Sequence, residues 1–131
     1  SRTVFGGDLA MKGTTVWIPA RRGSLVAYLA SLERILALEP VRVLPAHGDV
    51  IDDPGGALRG YLRHRQRREA QVLESLREGD SSPERIVARL YDSLPDALAK
   101  FATESILAHL MKLQDDGRVG CRQDAWHIME P

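Results

Sequence analysis

The sequence lacks several features that would narrow its class at once. The 131-residue chain has one cysteine, Cys121, so it can form neither an internal disulfide nor a structural zinc site built from several thiolates. No apolar run approaches the ~20 residues that a membrane helix needs, and the first residues lack a signal-peptide pattern. The chain also has no internal repeats. We therefore expect a protein of a reducing, cytoplasmic compartment that does not enter a membrane.

The formal net charge of the chain is zero, because 18 basic residues balance 18 acidic ones. Whole-chain charge thus argues against a general polyanion binder. The distribution is uneven, because residues 57–79 carry six arginines against three glutamates. Two interpretations stay open for this basic segment: a solvated helix face, or a ridge of cations beside an anionic substrate.

What is present is typical of a globular protein, with 44% hydrophobic and 27% charged residues. The pattern predicts a short buried strand over 3–6, a long irregular connection over 8–23, and an amphipathic helix capped by Ser24 and stopped by Pro40. A second strand is predicted over 41–44. A chain that opens almost directly on a core strand is expected to be a fragment of a longer protein.

The second half of the chain has a different pattern of predicted elements from the first. A long helix is predicted over 57–78, followed by turn residues and a new helix that begins either at the Ser81–Glu84 capping box or at Ser82 with Pro83. Two more helices are predicted over 95–101 and 103–115, with Gly117 ending the second in the left-handed conformation. Two short strands follow, around residues 119–121 and 126–128. Three helices and a terminal hairpin indicate a winged helix-turn-helix.

Two short segments suggest chemistry, Phe5-Gly6-Gly7-Asp8 and Leu44-Pro45-Ala46-His47-Gly48. In each, an apolar strand ends in a turn that presents one metal-capable side chain, Asp8 or His47. A carboxylate has two oxygens and can bridge two cations, and a neutral imidazole supplies a borderline-soft nitrogen suited to zinc. Taken separately, either residue is more often an ordinary turn residue; together, at matching strand ends, they indicate a metal site.

These segments, with Gly13-Thr14-Thr15-Val16-Trp17 between them, resemble the C-terminal half of a metallo-beta-lactamase-fold hydrolase. The Tyr61-Leu62-Arg63-His64-Arg65 helix and the winged helix resemble the beta-lactamase-like branch with an appended winged helix, which includes endoribonuclease-like members. The resemblance implies an α+β fold: a partial αβ/βα sandwich over 1–56, a connecting Arg-rich helix over 57–79 and a winged-helix domain over 80–131.

By this resemblance, Asp8 corresponds to the carboxylate that bridges two zinc ions and His47 to the last histidine ligand. The family's main ligand set, a His-x-His-x-Asp-His segment, lies upstream in the full fold, and this chain contains no His-x-His. The resemblance thus implies a zinc-dependent hydrolase as the parent, acting on an ester or a phosphodiester such as RNA. This chain alone is expected to be inactive, with the missing N-terminal half of the hydrolase domain as its partner.

Other polar residues are weaker candidates. Substrate contacts are predicted for three side chains of the basic helix and two hydroxyls of the long connection: Arg63, His64, Arg67, Thr14 and Thr15. Surface or capping roles explain the same five residues. His109 and His127 are expected to face outward, and Cys121 is expected to be a small core residue rather than a nucleophile.

The winged helix is open to two interpretations. Its predicted last helix exposes a nearly neutral set of side chains, which favours a packing or substrate-shaping module over a sequence-specific DNA reader. The alternative to the hydrolase is a non-catalytic winged-helix module that binds nucleic acid or a partner protein. A homo-oligomer or a domain swap is a third expectation, because residues 1–56 alone would leave an apolar face open.

Overall fold

The computed structural model describes residues 3–7 and 25–129 of the chain. Its elements, in chain order, are β1 (Thr3–Gly7), α1 (Leu25–Ala37), β2 (Arg42–Pro45), α2 (Pro54–Arg77), α3 (Pro83–Leu90), α4 (Asp96–Asp115), β3 (Val119–Arg122) and β4 (Ala125–Ile128). The described residues divide into two compact units, one holding 3–7 and 26–65 and the other holding 25 and 66–129. The predicted cap Ser24 and most of the predicted connection lie outside the described residues.

The first unit contains both strands that the sequence pattern predicts, and they form a parallel pair. β1 and β2 pair from Thr3↔Arg42 to Phe5↔Leu44, and then shift register so that Gly7 pairs with Pro45. Gly6 is the extra residue at this irregularity, and a Cβ there would lie 2.8 Å from Cγ1 of Val43. The close approach of the two strands therefore requires glycine at this position.

Helix α1 packs one stripe inward and ends before Pro40, as predicted. Its buried side chains recur at helical spacing: Leu25, Tyr28, Leu32 and Ile35. Beside it, the first unit keeps an open groove of about 520 Å³ whose lining includes Val4, Phe5, Ile35 and Leu38. Phe5 is 82% exposed and Leu38 is 60% exposed. A large part of the apolar surface of this unit is thus uncovered.

The second unit closes around its own core. The buried residues of this cluster come from α2, α3, α4 and β3: Val72, Leu73, Leu76, Ile86, Val87, Ile106, Leu110, Leu113 and Val119. Helix α3 begins as the sequence predicts, because the hydroxyl of Ser82 accepts a hydrogen bond from the Arg85 amide at 3.3 Å and Pro83 takes the first helical position.

Two ionic clusters support this core. Glu69 of α2 accepts hydrogen bonds from Lys112 Nζ at 2.7 Å and from Arg118 Nη1 at 3.0 Å. The buried carboxylate of Asp80 accepts hydrogen bonds from Arg89 and from Ser75 Oγ, the latter at 2.7 Å. These hydrogen bonds, led by that of Arg89, lower the pKa of Asp80 to about 2.

The terminal hairpin is the wing. β3 and β4 pair antiparallel, with Arg122 opposite Ala125, and the two turn residues Gln123 and Asp124 both have positive φ. Such angles are typical of the tight two-residue hairpin turn. The Trp126 amide donates to the Ser81 carbonyl at 2.9 Å, which joins the wing to the segment before α3.

Three expectations for this unit are wrong. Residues 96–115 form one helix instead of two, since the hydroxyl of Thr103 bonds the Ala99 carbonyl at 2.9 Å and so stays within a continuous helix. His109 is buried at 1% exposure, with its Nδ1 2.8 Å from the Ser105 carbonyl oxygen. Cys121 is exposed, because the wing extends beyond the core that covers Val119.

Two other expectations are confirmed: His127 is exposed, and Gly117, which follows the C-cap residue Asp116 of α4, has φ +74. Within the described ranges, no helix combines the length and the apolar composition needed to cross a bilayer.

Candidate metal-ligating strand ends

The two strand ends singled out in the sequence lie at the same edge of the sheet. Because β1 and β2 are parallel and Gly7 pairs with Pro45, both strands leave the sheet in the same direction. His47 follows Pro45 by two residues, and Asp8 comes directly after Gly7 in the sequence. Asp8 itself lies outside the described residues. The described backbone thus has the ends of β1 and β2 next to each other, as expected.

His47 sits in a loop that is fastened at its base. Val43 and Ile51 exchange two backbone hydrogen bonds, 3.0 Å from the Val43 amide and 2.9 Å from the Ile51 amide, so the chain between them folds back on β2. Gly48 has φ +90, a left-handed conformation that favours glycine. The His47 side chain is exposed. A pinned loop with an exposed imidazole is chemically suited to present one nitrogen to a metal ion.

The described residues alone do not make a complete metal centre. Nowhere in residues 3–7 and 25–129 do three or more histidine, cysteine, aspartate or glutamate side chains come together as a group that could hold a metal ion. A catalytic zinc usually has three protein ligands. The described part of the chain therefore offers His47 as one donor of a larger site, and further donors would have to come from elsewhere.

The predicted substrate-contact residues fall into two groups. Thr14 and Thr15 lie outside the described residues. Arg63 and Arg67 are exposed on α2, one turn apart on one face, whereas the neighbouring His64 is half-buried. The structure thus brings the two arginines together and separates His64 from them around the helix.

A cluster that sequence reasoning missed lies in the first unit. Arg65 is 7% exposed, and its Cζ lies 5.6 Å from the centre of the Tyr28 ring. Burial raises the pKa of the Tyr28 hydroxyl, and the Arg65 guanidinium beside it offsets part of that rise. The spacing of Leu58, Tyr61 and Arg65 at i, i+3 and i+7 could have revealed it, because all three fall on the buried face of α2.

The winged-helix unit exposes basic and acidic side chains in nearly equal number. Two of the polar side chains expected on the exposed face of the last helix are less accessible than expected: Lys112 is partly buried and His109 is fully buried. Burial opposes the charge of Lys112, but hydrogen bonds to Glu69 and Asp116 raise its pKa above the ordinary value. This lysine is therefore a charged structural residue, and it is not available to bind a nucleic acid.

Comparison with known families finds a matching family model for the second unit. Residues 82–126 match the model of the beta-lactamase associated winged helix domain. Two homologues of beta-lactamase-like protein 2 are 32% identical: the Drosophila melanogaster protein over 98% of this chain and 45% of its own length, and the Caenorhabditis elegans protein over 90% and 39%. An atrochrysone carboxyl ACP thioesterase of Passalora fulva is 32% identical over 98% of this chain and 41% of its own.

Solved structures give the fold of the whole chain. A metallo-beta-lactamase family protein from Thermus thermophilus superposes with a TM-score of 0.80 at 22% identity, over 96% of this chain and 42% of that one. A beta-lactamase domain protein from Burkholderia ambifaria gives 0.83 at 23%, over 97% and 42%. The α+β fold, a partial metallo-beta-lactamase sandwich followed by a winged helix, is confirmed. The chain spans less than half the length of these relatives.

Proposed function

The chain belongs to the beta-lactamase-like family as the C-terminal part of such a protein, and from this premise we propose that it contributes Asp8 and His47 to the metal site of a hydrolase. The observation that carries the proposal is the parallel pairing of β1 with β2, in which Gly7 opposes Pro45. In this pairing the last residues of the two strands, Gly7 and Pro45, lie side by side at one edge of the sheet.

In the proposed site, the Asp8 carboxylate and the His47 imidazole would be two of the donors that hold zinc. When bound, such ions lower the pKa of a coordinated water and stabilise negative charge that develops during hydrolysis. The loop over 44–50 that carries His47 is closed at its base by the two backbone hydrogen bonds between Val43 and Ile51. The chain alone is proposed to be inactive, because it has no His-x-His segment to complete the ligand set.

The proposed partner of the first unit is the N-terminal half of the hydrolase domain. Parallel sheets are normally covered on both faces, and two strands alone are marginally stable. The exposed Phe5 and the groove beside α1 give this half an apolar surface to cover. The relatives are more than twice as long as the segment matched here, which supports an occupant in the same polypeptide. A swapped or symmetric dimer is the competing arrangement, and solution mass separates the two.

The proposed substrate is a thioester or another ester. The support is the relative whose name is that of a thioesterase, with near-complete coverage of this chain. A phosphodiester in RNA is the second candidate, supported by the exposed Arg63 and Arg67. A non-catalytic winged-helix module is the alternative to both. A reducing, cytoplasmic location remains a prediction.

The test is hydrolysis by the whole protein that carries these residues, assayed on a small thioester and on an oligoribonucleotide. Activity is expected with added zinc, is expected to disappear with a chelator, and is expected to fall at least about a hundredfold in His47→Ala, because a metal ligand is lost. His127→Ala is the matched control, since His127 is exposed on the wing. Full activity of His47→Ala would contradict the proposal, and inactivity of the unaltered protein on both substrates would favour the module.

A further inference from the structure

The six arginines of α2 divide into two sets. Three are engaged within the fold: Arg65 with Tyr28, Arg68 over the Tyr91 ring at 4.7 Å, and Arg77 with Glu74 at 3.1 Å. The other three, Arg59, Arg63 and Arg67, are exposed. We call these three the arginine ridge.

The arginine ridge is regular. Its members are four residues apart, so they lie on one side of the helix and span about 12 Å along its axis. The Arg59 guanidinium lies against Gly55, where an added Cβ would meet its Nη2 at 3.0 Å.

The ridge carries charge that the described structure does not compensate. Like charges at i and i+4 repel, and the ridge contains two such pairs in succession. Within residues 3–7 and 25–129, none of the three arginines forms an ion pair, although carboxylates pair with other arginines of the chain. Repulsion retained in this way is expected where an external anion supplies the compensation.

The surroundings favour carboxylates over nucleic acid. Single-stranded nucleic acids bind where aromatic side chains stack on bases, but Tyr61, the aromatic residue of α2, is buried at 8% exposure. Carboxylates at the same four-residue spacing on a second helix would face the ridge one to one, and guanidinium groups bind carboxylates bidentately.

We propose that the arginine ridge, Arg59, Arg63 and Arg67, docks an acidic helix of a partner protein. The proposal is independent of the hydrolase site, because docking requires neither a metal ion nor turnover. It would give the parent protein a means of selecting a substrate or regulator that is attached to an acidic protein.

The experiment measures binding to the whole protein by fluorescence anisotropy. The probe is a helical peptide of about 20 residues with glutamates at i, i+4 and i+8, and its control has the same composition with the glutamates distributed around the helix. We expect the first peptide to bind more tightly, and its affinity to fall as salt rises from about 0.1 M to about 1 M.

Two triple variants locate the site. Arg59→Gln, Arg63→Gln and Arg67→Gln together are expected to lose about tenfold in affinity. The matched control, Arg77→Gln, Lys100→Gln and Arg122→Gln, removes the same charge from exposed positions off the ridge and is expected to lose less than about twofold. Circular dichroism checks that both variants keep their helices.

The proposal is overturned if neither peptide binds, if the two peptides bind alike, or if both triple variants lose affinity equally. It is also overturned if an oligouridine probe binds through the ridge while the acidic peptide does not, which would assign the ridge to RNA. A failure of hydrolysis in the same protein would leave peptide binding unchanged, so the two proposals fail separately.

Discussion

The two units of the chain differ in how completely they bury their apolar side chains. The winged-helix unit encloses nine buried hydrophobic residues in a single cluster and ties its helices with two ionic clusters. The unit built on β1 and β2 has a two-stranded parallel sheet and leaves Phe5, Leu38 and Val41 more than half exposed. The first pattern is that of a self-contained module, and the second is that of one part of a larger core.

The largest loss of stability is expected from a substitution in the buried core of the winged-helix unit. Leu110 is fully buried, and Leu110→Ala should lower the free energy of unfolding of the winged-helix unit by about 2–5 kcal/mol through lost burial and a residual cavity. The neighbouring Met111 is 42% exposed, so Met111→Ala should change it by less than about 1 kcal/mol. Urea unfolding followed by Trp126 fluorescence, in a Trp17→Phe background, measures both. Equal losses would mean that the cluster does not hold this unit together.

The next prediction compares the stability losses of two phenylalanine variants, and their expected order is the reverse of the order that exposure in this chain suggests. In this chain Phe5 is 82% exposed and Phe101 is 48% exposed, so Phe101→Ser would be expected to cost more. If the N-terminal half covers the groove, Phe5→Ser in the whole protein should instead cost about 1.5–3 kcal/mol, and Phe101→Ser less than about 1 kcal/mol. Thermal or urea unfolding of the two variants decides it. A smaller loss for Phe5→Ser would indicate that the face stays open.

The predicted and the observed structure agree where periodicity is strong and disagree where polar groups are satisfied locally. The buried stripe of α2 and the cap at Ser82 follow from spacing and capping chemistry. Thr103 resembled a helix start, but its hydroxyl bonds within the helix. His109 lies on the same helical stripe as Ile106 and Leu113, and its hydrogen bond to the Ser105 carbonyl lets a polar ring be buried.

The candidate site was predictable only in part. The two strands that precede the candidate ligands are predicted from their apolar pattern, whereas the metal-binding roles of Asp8 and His47 stay predictions. Arg65 was grouped with exposed cations because composition does not tell which face of a helix is covered. Changing Arg65 to Glu together with Arg63 and Arg67 as a test of RNA binding would therefore place a carboxylate in a buried position. The set Arg59, Arg63 and Arg67 avoids this, because all three are exposed.

A smaller loss of stability is expected to distinguish Glu69, which contacts two cations, from the exposed Glu74. Glu69 accepts hydrogen bonds from both Lys112 and Arg118 and is 17% exposed, so Glu69→Gln should lower the free energy of unfolding by about 1–2 kcal/mol. Glu74 pairs only with Arg77 of its own helix at an exposed position, and Glu74→Gln should change it by less than about 0.5 kcal/mol. Urea unfolding measures both variants. Similar values would show that the cluster does not strengthen the contact between α2 and α4.

The smallest effect appears only in acid. The Asp80 pKa, about 2 in the folded chain against an ordinary 3.8, gives stability that is complete above pH 3.8 and is lost as the pH falls through about 2. The thermal midpoint of the unaltered chain should therefore fall more steeply below pH 4 than that of Asp80→Asn. Asp115→Asn is the control, because Asp115 is exposed outside both ionic clusters. Parallel curves for Asp80→Asn and the unaltered chain would contradict this assignment.

The metal content of the whole protein tests the central claim most directly. Elemental analysis after dialysis should find fewer zinc ions per chain in Asp8→Ala and in His47→Ala than in the unaltered protein, while His127→Ala keeps the full number. A full complement of zinc in both Asp8→Ala and His47→Ala would contradict the claim that these strand ends hold the metal.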